Sequence, residues 1–148
     1  MTTLLTTLLI VHVISGVTGV GLHNLTLMHL LKRAPNYAFV ARVAWSAATL
    51  FLISWASSAY YYVTYYGSMV KPRILAGNMP VGHTFFMETK EHIFLLLPFL
   101  AISIALSVTY LHANPDNGLR KSTAFLTLIA LVIGIAVAAS GILISGSI

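Results

Sequence analysis

"LLTTLLIVHVISGVTGVGLHNLTLMHLL", residues 4–31, contains no Asp, Glu, Lys or Arg. An α-helix needs about 20 apolar residues to cross a hydrocarbon core about 30 Å thick, and this run exceeds that. Three more runs of the same kind follow at about 43–66, 93–113 and 123–146. None alternates apolar and polar residues as the strands of a membrane barrel do. Between them, "KRAPNYAFVAR" (32–42) and "ANPDNGLRKS" (113–122) hold the Pro, Asn, Asp and Gly of short turns. Short connections make successive helices antiparallel. The expectation is an all-α integral membrane protein, an up-down-up-down four-helix bundle with residues 1–148 forming a single transmembrane domain.

Composition points the same way. Apolar residues make up 58% of the chain and charged residues 7%, with a mean hydropathy of +0.90. Soluble domains carry roughly 25% charged residues, so this surface is not built to face water all round. The absence of cysteine excludes disulfides, thiolate metal sites and cysteine nucleophiles. The formal charge of +5 comes from cations scattered singly or in pairs, so no nucleic-acid patch is expected.

Lys32, Arg33, Arg42, Arg120 and Lys121 fall on the side of the first and third connections. Lys71, Arg73 and Lys90 fall on the other side, with the termini. That bias places the first group in the cytoplasm and both termini outside. The setting that fits is the inner, cytoplasmic membrane of a prokaryote. No cation precedes the first run and no small-x-small cleavage site follows it, so it reads as a first span rather than a removable signal.

His12 interrupts an otherwise apolar helix, where a polar side chain is expensive and faces the bundle interior. His23 lies eleven residues on, within about 20° of the same stripe, and Gly16 and Gly19 lie between them. Small residues on such a stripe serve close helix packing. They equally leave room for a flat macrocycle. Aligning the inner ends of the first and third helices puts His12 level with Phe94, about 3 Å from the depth of His92. Two imidazoles facing across a core are suitable axial ligands for a b-type haem. His23 has no partner at its own depth, so one bis-histidine site is expected rather than two.

Leu9, His12, Gly16 and Gly19 form an LxxHxxxGxxG pattern. It resembles the first-helix pattern of small four-helix membrane b-type cytochromes. The resemblance covers about 25 residues. It implies haem b and electron transfer across part of the membrane; with His92 added from the depth alignment, the expected binding residues are His12, His92, Gly16 and Gly19. Quinone or other redox subunits would then be partners, beside membrane lipid.

"HTFFMETKEHIFLLLPFL", residues 83–100, holds two of the three acidic side chains, Glu88 and Glu91. Glu88 and His92 are spaced i, i+4 and share a helix face. With His12 and His83 they could ligate a non-haem transition metal, because imidazole with carboxylate suits zinc, iron, copper or manganese. In the haem reading, Glu88 or Glu91 would instead orient an imidazole. The plainer reading is an interfacial helix start, with acids on the helix dipole and Lys90 reaching the headgroups. Tyr60, Tyr61, Tyr62, Tyr65 and Tyr66 read as an aromatic belt, and Pro98 as a kink beside His92. No Walker-type loop, Ser-x-x-Lys or HExxH motif occurs, which argues against a hydrolase. Three functions remain: a haem electron-transfer protein or redox subunit, a non-haem metal binder, and a structural subunit of a larger membrane complex.

Overall fold

The computed structural model describes residues 3–77 and 79–145, with the surroundings of Gly82 and Glu91 outside that description. The role considered for Glu91 and the last residue of the fourth run, 146, therefore lie outside it. Within the described residues every regular element is helical. They are α1 (Thr3–Leu30), α2 (Tyr37–Tyr61), α3 (Lys71–Ala76), α4 (Glu88–Phe94), α5 (Leu96–Ala113) and α6 (Asn117–Ser145). Two π-helical segments, Tyr62–Val70 and Gly82–Met87, join α2 to α3 and lead into α4. Four helical stretches are long and apolar enough to cross a membrane: Thr3–Leu30, Tyr37–Ala76, His83–Ala113 and Asn117–Ser145.

Local chemistry sets the ends of these elements. The Asn36 side chain accepts from the Phe39 amide at 3.1 Å and caps α2. Helix α2 thus begins at Tyr37, several residues before the apolar run does. Asp116 does the same for α6, accepting from the Leu119 amide at 2.5 Å. Pro98 has no N–H to offer the Phe94 carbonyl, and the chain breaks between α4 and α5 at Leu95. Pro72, Gly77, Pro80 and Gly82 suggest a connection from Gly67 to His92 that turns helical only from about Thr84, but most of its described residues are helical. Pro72 does not stop the helix there: it lies just after the π-helical segment gives way to α3, and the helix runs on through it to Ala76.

Helix α1 packs on α2 and α6, and α5 packs on the same two, so the long helices close into a ring with α1 opposite α5. Ala44, Ala47, Ala101, Ala105 and Ala130 are at most 1% exposed and let backbones approach closely. One apolar layer contains Leu30, Val40, Ile104 and Val108, and a second Phe51, Phe94, Leu97 and Val137. Large apolar side chains also cover the outside, among them Ile14, Val63, Phe99, Phe125 and Ile142. Hydroxyls there are satisfied within their own helix. Ser103 donates to the Phe99 carbonyl at 2.9 Å and Ser140 to the Ala136 carbonyl at 2.9 Å.

Arg120 closes one end of the ring. Its Nη1 donates to the Leu30 carbonyl at 3.3 Å and the Lys32 carbonyl at 2.6 Å. These carbonyls lie at and beyond the C-terminus of α1, where no further turn of helix supplies donors.

Candidate functional site

The candidate site lies at the other end of the ring, where α1 meets α2. The Nδ1–H of His12 donates to the Ser54 carbonyl at 3.0 Å. Ser54 Oγ donates to the His12 carbonyl at 3.0 Å and lies 2.9 Å from Nδ1. This exchange fixes the ring and places the imidazole lone pair on Nε2. The ring stands edge-on to Phe94, with centroids 5.7 Å apart and planes at 87°.

His12 borders two cavities. The larger, about 420 Å³, is a slot between α1 and α6. Leu9, Val13 and Val17 form one wall, Val137, Ala138 and Ile142 the other, and Phe51, Ser54 and Leu97 lie behind. The smaller, about 230 Å³, is lined by Trp55, Ala59, Tyr62 and Met87. His12, Lys90 and Phe94 border both. The larger volume is within the range of small-molecule and cofactor sites, which are mostly apolar with a few placed polar groups.

The glycines divide between two tasks. A Cβ on Gly16 would lie 3.1 Å from Ser54 Oγ, and one on Gly19 would lie 3.3 Å from the Phe51 ring. Both therefore let α1 approach α2. Gly16 also borders the slot, whereas Gly19 is covered by Phe51. On α6, a Cβ on Gly141 would come within 3.3 Å of Lys90 Nζ. Lys90, expected at the headgroups, instead lies over α6 and borders the slot. Gly141, having no side chain, leaves the room for it.

The histidines do not gather as the pattern suggests. His92 is exposed, and its Nδ1–H donates to the Glu88 carbonyl at 2.7 Å. The residue that faces His12 is Phe94, at the depth expected for the site. Two residues turn the helix by about 200°, which carries His92 to the outward face. The structure thus does not bring His12 and His92 together. His83 and Glu88 do approach each other, with Nε2 and Oε1 3.9 Å apart, and His83 Nδ1 lies 3.1 Å from the Tyr66 hydroxyl. Tyr66 is buried against His83 rather than standing in an outward belt. Among the described residues no three His, Asp or Glu side chains cluster as a metal site would require.

His23 is 1% exposed, and neither ring nitrogen makes a well-formed hydrogen bond, although the ring interacts with the Gly19 backbone one turn back; the Thr26 hydroxyl, on the next turn, also lacks a well-formed bond. The ring packs edge-on against Phe51 at 5.2 Å. His29 donates to the Leu25 carbonyl at 2.9 Å, and His112 is exposed. The residues that pattern reading misses are Ser54 and Phe94, both on apolar helices, and Lys90. The signal for the facing is the i, i+2 step from His92 to Phe94, which puts the two on opposite sides of the helix. No protein family, curated protein or solved structure matches the chain.

Proposed function

We propose that this is a small integral membrane protein whose four long helices cross the bilayer up-down-up-down, with both termini outside. The slot between α1 and α6 holds one b-type haem, with His12 Nε2 as an axial ligand, and the protein transfers electrons alone or as a subunit of a redox complex. One observation carries this reading: an imidazole on the wall of an apolar slot has its Nδ1–H committed to the Ser54 carbonyl. Metal-bound histidines are held this way, by a hydrogen bond on the nitrogen away from the metal. Lys90, at the same slot, supplies a cation for the acidic groups that a haem carries. The distribution of cations between the loops supports that orientation, and the cytoplasmic membrane of a prokaryote is the proposed setting.

The test is the optical difference spectrum, dithionite-reduced minus oxidised, of protein purified from cells supplied with haem. A b-type α-band is expected in the wild type and is absent in His12→Ala. A folded wild-type protein with no Soret absorption refutes the reading.

A second reading is favoured by the outward placement of His92. With one imidazole at the slot, Lys90 is a hydrogen-bond donor suited to a carbonyl oxygen of a lipid-soluble quinone. Solvent extraction of the same preparation decides: quinone at about one per chain without haem selects this alternative.

A further inference from the structure

The two π-helical segments come together at the end of the molecule beyond His12. Tyr66 comes from the first, His83 from the second, and Glu88 opens α4 directly after it. Segments of this kind inside α-helices are uncommon and frequently mark functional sites. Here they bury an imidazole. His83 is 2% exposed, its Nδ1 lies 3.1 Å from the Tyr66 hydroxyl, and its Nε2 has no hydrogen-bond partner. Leaving such a nitrogen unpaired is unfavourable.

What faces Nε2 is the Glu88 carboxylate, at 3.9 Å. Hydrogen bonds of N–H to oxygen span about 2.7–3.2 Å, so the two groups stand too far apart to bond directly. They are spaced to share an ion. Two ligands each about 2.1 Å from a tetrahedral metal lie about 3.4 Å apart. The Glu88 side chain is 55% exposed and free to turn through the small remaining distance. In the tautomer with Nδ1–H donating to the Tyr66 oxygen, the lone pair lies on Nε2, the arrangement that raises imidazole basicity toward a metal.

We infer that His83 Nε2 and the Glu88 carboxylate hold one divalent transition-metal ion at this end of the protein, with water in its remaining positions. The mixed nitrogen and oxygen donors suit zinc, manganese, iron(II) or copper(II) rather than a thiophilic ion. Exposure of Glu88 gives the ion a route in from the aqueous side. The inference does not rest on the haem reading, since none of these three residues borders the slot.

Untagged full-length protein in detergent, stripped with a chelator, is titrated with Zn²⁺ by calorimetry. One equivalent binds to the wild type. Glu88→Gln, at an exposed position that leaves the fold intact by circular dichroism, abolishes binding, and His83→Gln does the same. Tyr66→Phe removes only the supporting hydrogen bond and weakens binding roughly 10–100-fold. His92→Ala and His112→Ala, at exposed positions, leave it unchanged. Failure of the wild type to bind Zn²⁺ overturns the inference and leaves a bare imidazole–carboxylate pair. So does binding that survives Glu88→Gln and disappears in His92→Ala.

Discussion

Gly134→Ala tests the seam between α1 and α6, on which the slot depends. A Cβ at Gly134 would lie 2.9 Å from Val20 Cγ2, closer than side-chain carbons come. Val20 is β-branched, and its χ1 is held to one strongly preferred rotamer in a helix. Relief therefore requires the two helices to separate. Overpacking of this kind costs about 1–3 kcal/mol. Against it stands the gain from replacing glycine by alanine in a helix, about 1 kcal/mol. The net expectation is a loss of about 0–2 kcal/mol, from the difference of those two contributions.

Gly21→Ala separates the contributions. Nothing lies within 4 Å of a Cβ there, on the same helix as Val20 and one residue away. It carries the propensity gain alone. The difference between the two variants then isolates the contact, at about 1–3 kcal/mol. Unfolding in mixed micelles titrated with sodium dodecyl sulfate, followed by circular dichroism, measures both. Val20→Ala combined with Gly134→Ala removes the clash and recovers most of the loss as a positive coupling. If Gly134→Ala is as stable as Gly21→Ala, the close approach of α1 to α6 at this level is wrong.

Three further outcomes are expected. Arg120→Ala leaves the Leu30 and Lys32 carbonyls without their charged donor and destabilises the protein by about 1.5–3 kcal/mol in the same unfolding assay. A change within experimental error would mean that the guanidinium is solvated rather than capping. His92→Ala removes an exposed ring bonded only to its own helix; it should change stability by less than about 0.5 kcal/mol and leave any haem spectrum intact. Loss of the spectrum in that variant would restore His92 as a ligand and discard the facing described here. His23→Leu replaces an imidazole with no well-formed hydrogen bond, and should stabilise the protein by up to about 1–3 kcal/mol, the cost of a buried unsatisfied group. A destabilised His23→Leu protein would show that the imidazole has a partner, such as a bound water.

The helices were legible because their signal is long and redundant. A run without a charge from Leu4 to Leu31 reads as one helix, whichever of its residues face inward. Facing is a finer quantity, set by the phase of a few turns. Aligning the helix ends put His12 level with Phe94, and the two rings do stand beside each other. The identity of the facing residue was not, because a two-residue shift reverses the side of the helix. The two π-helical segments also add residues to their turns, so counting at 100° per residue loses phase across 62–87.

Lys90 shows a different limit. Its reach toward headgroups follows from a flexible stem and a membrane boundary. Its position over Gly141 depends on α4 lying against α6, a contact between segments some fifty residues apart that no local pattern encodes. The Ser54–His12 exchange is equally non-local, joining residues 42 apart. Sequence reading could find the imidazole. It could not name the hydroxyl that fixes it.

The Arg120 clamp also bears on the order in which the molecule is made. The carbonyls it satisfies precede it by 90 and 88 residues. At translation rates of roughly 5–20 residues per second, the end of the first helix waits about 5–18 s for its donor. During that interval those carbonyls have only water, lipid headgroups or the biosynthetic machinery as partners. Completion of α1 is thus deferred until α6 begins to emerge. A ribosome-stalled chain ending before Arg120 should exchange its amide hydrogens near Leu30 faster than one that includes it.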